Sequence, residues 1–242
     1  MPTLPDKICP SAQLSDLDLS GRDLSECSLD GATLNGVRLT DSRLDHGSLC
    51  GVRILGASAI GSSWYSANLS GAEISEANLS RSDFQGATLG CAQVSDSNLS
   101  GALLADAVAG GIRLADCQLD NADLRGALLH GAELFNTSLV HADARGLMAL
   151  GARLVEVDLR GADLRDAQLQ GATLSKVNFQ HANLEGANLS GSTLRGVDMR
   201  GAKLAGAILD GANQVSVQRE EDPEPLAQPQ VARRASSHPD EL

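Results

Sequence analysis

The sequence predicts an all-β solenoid that turns a corner every five residues, and three observations predict it. From Ala12 to Gly211 an apolar residue recurs at every fifth position through forty consecutive pentads, with no insertion or deletion. The pentad centres, Leu14, Leu19, Leu24 and onward to Leu209, hold 29 leucines, and the others are Ile, Val, Phe, Trp, Met or Ala. Two residues after the centres stand 22 of the 25 glycines, among them Gly21, Gly71, Gly126 and Gly201. A helix requires a 3.6-residue rhythm and an ordinary strand a period of two, so the pattern fits neither. A repeat this strict fixes the architecture before any other feature is weighed.

Each pentad position has its own physical requirement. The centre faces inward, and so does the residue two before it, which is Ala in 22 of the forty pentads and mostly Val, Ser or Cys elsewhere. Arg22 and Gly47 are exceptions at that inward position. The glycine two after the centre reads as a corner, because glycine takes backbone conformations closed to other residues. Ala67-Asn68-Leu69-Ser70-Gly71 and Ala182-Asn183-Leu184-Glu185-Gly186 are typical pentads. These runs resemble the pentapeptide-repeat family, and the resemblance covers about 200 of the 242 residues. It implies a right-handed quadrilateral β-helix with four pentads, or twenty residues, to a square coil, and about ten coils.

The unbroken repeat predicts one solenoid with tails: an N-terminal cap over 1–11, the β-helix over 12–211, a C-terminal closure over 212–217 and a disordered tail over 218–242. Aromatic residues make up 2% of the chain, so the core is built from Leu and Ala, each coil burying its centres against its neighbours. Irregular positions look compensated: Leu147 is large beside the small centres Ala144 and Ala149, and Ile112 follows Ala109. Trp64 and Phe84 lie one coil apart on one side and should stack, with Ala59 and Ser62 making room. Val215 and Val217 are expected to close the last coil, since an open coil end presents unpaired backbone edges.

No chemistry-bearing motif stands outside the repeat. Cys9, Cys27, Cys50, Cys91 and Cys117 lack paired spacing, and Cys27 and Cys117 fall at inward positions where they act as small apolar residues. His141 and His181 share a corner column two coils apart, roughly 10 Å by strand spacing, too far to share a metal. The remaining histidines, His46, His130 and His238, are scattered. The glycines are accounted for by corners rather than by a phosphate loop. The sequence therefore predicts a protein without catalytic residues, metal or cofactor. It shows no signal peptide and no apolar run long enough to span a membrane, which points to the cytoplasm. Arg233-Arg234-Ala235-Ser236 in the tail is a weak phosphorylation motif.

Residues twenty apart stack, so sorting the outward residues modulo twenty turns the sequence into four sides. Side one, centred on Leu14 and Leu34, carries seven carboxylates and five basic residues; side two, centred on Leu19, carries five and four. Side three, centred on Leu24, carries ten and five. Its Asp83, Asp123, Asp143 and Asp163 form a broken column, reinforced at the corner by Asp106 and Asp166, beside stacked Arg125, Arg145 and Arg165. This strip is a candidate acidic docking surface, or else a solvated ion-pair lattice. Side four, centred on Leu29, carries Asp30 and Asp210 and no basic residue. Val108, Leu128 and Met148 align on it, with Leu150 adjoining and Ile208 near the end, which marks it as an association surface suited to a twofold homodimer.

The net charge of −12 repels nucleic acid and points to protein partners. The family resemblance implies a more specific partner, because some members imitate duplex DNA and bind type II topoisomerases, DNA gyrase or topoisomerase IV, protecting them from inhibitors. The repeat holds 24 carboxylates and 15 basic residues, a net of −9. A rod of about 48 Å replaces duplex bearing roughly 28 charges, so mimicry requires that the acidic side alone face the enzyme. The chain lacks the loop insertions and aromatic C-terminal extension of some resistance members, and none of their functional residues is carried over. The other expectation is a structural adaptor or delivered effector that docks partners through side four.

Overall fold

The computed structural model describes residues 10–219. The chain winds into a parallel β-solenoid in which ten three-residue strands lie side by side in chain order. They are β1 (Thr33–Asn35), β2 (Arg53–Leu55), β3 (Glu73–Ser75), β4 (Gln93–Ser95), β5 (Arg113–Ala115), β6 (Glu133–Phe135), β7 (Arg153–Val155), β8 (Thr173–Ser175), β9 (Thr193–Arg195) and β10 (Asn213–Val215). Leu34 pairs with Ile54 and Ile54 with Ile74, so the coil is twenty residues, as the pentad arithmetic requires. The strands form side one. The other sides stack through single bridges, such as Arg38 to Ser58, Arg43 to Ser63 and Ser48 to Asn68.

Short strands suffice because every side is laddered. The N–H of Leu24 donates to the carbonyl of Arg43 at 2.7 Å, and the N–H of Arg43 donates to the carbonyl of Arg22 at 2.8 Å. Inward backbone groups are thus satisfied coil by coil. Three corners of each coil are closed by i to i+3 bonds, as from the N–H of Arg22 to the carbonyl of Leu19 at 3.1 Å. Among the described residues no such bond closes the corner after each strand. There the inward side chains of Ser97, Cys117 and Thr137 donate to the carbonyls two residues earlier.

The corner itself corrects the sequence reading. Every fifth residue from Ser11 to Ser216 has φ near +60°, and twenty of these residues are not glycine. The conformation is therefore not closed to side chains. Asp, Asn and His, whose polar side chains tolerate the left-handed region, occupy about half of the non-glycine corners, for example Asp106, Asn121, His141 and Asp166. No β-branched residue stands at any of them.

The core runs along the axis as four columns of centres with Ala, Val and Ser between them. Trp64 and Phe84 are fully buried and stack, with ring centroids 5.7 Å apart and planes 14° from parallel. Ser62 gives Trp64 both space and an acceptor, at 2.6 Å from the indole Nε1. Volume compensation is incomplete elsewhere. Wholly apolar cavities of about 40 and 30 Å³ remain beside Ala107 and Ala109 and beside Ala144 and Ala149, where small centres meet one large neighbour. Such spaces stay dry.

The end coils depart from the pattern. Arg22, at a nominally inward position, is exposed, because the first coil has no described neighbour above it. At the other end the path continues past Gly211: Gln214 occupies a centre in β10 and pairs with Leu194, though it is exposed. Val215 is also exposed, whereas Val217 packs against the core, and Leu204 and Leu209 remain half-buried. The expected cap before residue 10, Cys9, His238, the tail from 220 and its Arg233-Arg234-Ala235-Ser236 motif lie outside the described residues.

Candidate interaction surfaces

Each side presents outward the residues just before and just after its centre. On sides two, three and four, where one residue per coil bridges, the backbone N–H of the latter points away from the ladder and needs its own acceptor. Asp or Asn just before the centre supplies it: Asn68 accepts from the N–H of Ser70 at 3.1 Å, Asp83 from Gln85 at 2.9 Å and Asn188 from Ser190 at 3.0 Å. This local cap, a side chain closing onto the backbone two residues on, explains why the common pentad is Ala-Asp/Asn-Leu-X-Gly.

On side three the cap carries a second bond. Asp123, Asp143 and Asp163 each accept from the guanidinium two residues on, at 2.5 Å from Arg125, 2.6 Å from Arg145 and 2.6 Å from Arg165. Arg125 and Arg145 also reach the carboxylate of the next coil, Asp143 and Asp163, at 3.8 Å in both cases. The Arg column is therefore held by an interleaved ion-pair ladder. Hydrogen bonds from Arg125 and Arg165, opposed by partial burial, keep the carboxyls of Asp123 and Asp163 below their usual range. Asp83 lies in the same column with Leu103 between it and Asp123. Asp106 and Asp166 sit at left-handed corners, exposed, each with its carboxylate over the glycine of the next coil, Gly126 or Gly186.

Side four is built differently. Thr88, Val108, Leu128, Met148 and Gln168 bridge one another in succession between the two coils of this side that place an Asx cap, those of Asn68 and Asn188. Val108, Met148, Leu150 and Ile208 are between 37% and 42% exposed, while Leu128 is half-buried. With the caps gone, the outward N–H groups of Gly90, Gly110, His130, Leu150 and Gln170 have no hydrogen-bond partner among the described residues. Caps return below, at Asn188, and occur above, at Asn68. The same face holds a polar orphan of the opposite kind, the side-chain oxygen of Gln170, buried without a donor.

The profile of the family described as pentapeptide repeats matches this chain in eight copies, over 12–51, 56–108, 112–146, 152–191 and 182–213. The chain belongs to the pentapeptide-repeat family. Among solved structures it is similar to HetL of the cyanobacterium Nostoc sp. strain PCC 7120, a pentapeptide repeat protein involved in heterocyst differentiation regulation. The two are 29% identical over 84% of this chain and 87% of HetL, with a TM-score of 0.55. A trypsin-treated form of QnrB1, a plasmid-mediated fluoroquinolone resistance protein, is 20% identical over 87% of this chain and 91% of its own, with a TM-score of 0.52, a likeness of fold alone. No curated protein matches the chain significantly.

Like pentapeptide-repeat proteins generally, the chain has the form of a structural or binding solenoid. Among the described residues no group of His, Cys, Asp and Glu is placed to hold a metal, and no helix is long and apolar enough to cross a membrane. Burial pushes the Cys27 thiol up to about 11 and raises that of Cys117, which makes both poor nucleophiles. Sorting by side missed one feature that belongs to a corner: Glu76, Asp96, Asp116 and Glu156 line the open corner after side one. Asn136 interrupts them and donates to Asp116 at 2.6 Å, and Lys176 ends the run on Glu156 at 2.7 Å. Counting corner residues as their own columns would have found it.

Proposed function

We propose that this protein is a non-catalytic, protein-binding solenoid of the cytoplasm that docks partners, including a second copy of itself, through side four. The observation that carries this reading is the run from residues 88 to 170, where apolar residues replace caps and five outward backbone donors stay open. An exposed apolar column gains from being covered, and the donors beside it can exchange water for the acceptors of a partner. Light scattering of the wild type and Leu128→Asp tests it. The wild type is expected to exceed the monomer mass and the variant to return to it; monomers of equal mass in both would refute self-association.

A narrower reading concerns the partner: a type II topoisomerase, DNA gyrase or topoisomerase IV, bound by DNA mimicry and modulated or protected from inhibitors. Its support is the carboxylate excess of side three, especially Asp83, Asp106 and Asp166, which stand outside the ion-pair ladder, together with the acidic open corner. Supercoiling assays test this reading. Inhibition or protection that weakens steeply with salt and is lost in the Asp123→Lys, Asp143→Lys, Asp163→Lys triple variant supports it. No effect on supercoiling would discard it and leave the adaptor role.

A further inference from the structure

The open groups of side four have a self-complementary order along the rod. The column just after the centres reads Gly90, Gly110, His130, Leu150, Gln170, Ser190, Asp210, one residue per coil. Its first three members offer uncapped N–H groups, and its last three carry side-chain acceptors, including the unpartnered oxygen of Gln170. Leu150 stands between the two halves, beside Met148, and both are exposed.

We propose that two copies pack side four against side four, antiparallel, on a twofold axis that crosses the rod at Met148 and Leu150. The inference rests on side four being the association surface. A dyad lying in the interface across the rod keeps each column opposite itself and reverses the order of coils. The Gly90 N–H then meets Asp210, the Gly110 N–H meets Ser190, and His130 meets Gln170, whose terminal amide turns outward to accept. Met148 and Leu150 meet their own counterparts and form the apolar centre. Coils of equal rise bring every level into step at once. Charge favours this face, since side four alone has no carboxylate between Asp30 and Asp210, whereas any other pairing brings acidic columns together. Centring the axis on Leu128 would overlay more apolar atoms but oppose three open donors of each copy to open donors, Gly110 to Leu150, Leu150 to Gly110 and His130 to His130, where the proposed axis opposes Leu150 to its own copy. An unsatisfied buried donor costs more than a misplaced methyl group gains.

Spin labels at residues 88 and 188, in a chain with Cys9, Cys50 and Cys91 replaced by Ser, distinguish the registers. Residue 188 lies two coils from the proposed axis and residue 88 three. Each label is therefore expected to see its mate with an axial separation of about 19 Å at residue 188 and about 29 Å at residue 88. The reverse order would move the axis to Leu128 and overturn the proposed register while leaving side four as the interface. Equal short distances indicate a parallel pair, a separation beyond about 50 Å at residue 88 indicates end-to-end contact, and either overturns the proposal. Sedimentation equilibrium adds a check independent of labels: Gln170→Leu should weaken the dimer about five- to hundredfold, the loss of one hydrogen bond in each of the two half-sites. A wild type that is monomeric at every concentration would also overturn it.

Discussion

Sides three and four share one backbone, one set of corners and one core, yet they handle outward polar groups in opposite ways. On side three, Asp123, Asp143 and Asp163 cap the N–H two residues on and hold Arg125, Arg145 and Arg165, so the groups satisfy one another. On side four, Val108, Leu128 and Met148 stand at the equivalent position and satisfy nothing. The ladder sets which columns exist, and the residue before each centre decides whether a column is closed on itself or available. In a fold that could repeat its cap indefinitely, a run without caps is a sacrifice of local stability consistent with function elsewhere.

The largest expected effect strikes what both sides share. Trp64→Ala removes the stack on Phe84 beneath side three and should cost about 3 to 5 kcal/mol in chemical denaturation, with amide exchange rising first in the neighbouring coils. A loss below about 1 kcal/mol would mean that the coils relax around the gap.

Next, replacing Val108, Leu128 and Met148 together by Asn should make side four resemble its capped neighbours. Three restored caps, at about 0.5 to 1 kcal/mol each, should raise the melting temperature of the monomer by several degrees while self-association disappears. A variant less stable as a monomer than the wild type would show that the open donors cost nothing.

Acid separates the two sides by charge. Hydrogen bonds from Arg125 and Arg165 on side three, and from Arg200 on side two, depress the carboxyls of Asp123, Asp163 and Asp198, the last to about 2. A carboxyl depressed in the folded state stabilises above its unfolded pKa, near 4, and loses that contribution as pH falls through the folded value. Thermal stability should therefore decline from about pH 5 toward pH 2, and less so in Asp198→Asn, with salt reducing the slope. A flat profile would show that these ion pairs contribute nothing.

The smallest effect lies at the corners. Gly126→Ala and Gly146→Ala both place a side chain at φ near +65°, but only at residue 126 does the new Cβ meet an obstacle, the Asp106 carboxylate at 2.6 Å. Gly126→Ala should be the more destabilising by a few tenths of a kcal/mol in thermal melts, and Asp106→Ala should erase the difference.

Much of this was legible in the sequence. The period placed Leu34 over Ile54 and Trp64 over Phe84, and it put Val108, Leu128 and Met148 in one column, because a twenty-residue coil leaves no freedom in which residues stack. Three things escaped it. The period put His141 and Asp166 at corners, but that they take the left-handed conformation without being glycine did not follow from it. Arg22 obeys the register but sits in the first described coil, and its exposure there is not set by the period. The preference for Asp and Asn before the centre was visible, but its cause, an outward N–H without a ladder partner, depends on backbone direction and not on composition.

The proposed association runs through side four and not through the charged ladder. Sedimentation equilibrium in low and high salt, on the wild type and on the Val108→Asn, Leu128→Asn, Met148→Asn variant, tests it most directly. The wild type is expected to form a dimer that salt barely weakens, and the variant to be monomeric at either ionic strength. A dimer that survives the three substitutions, or one that dissociates as salt rises, would contradict it.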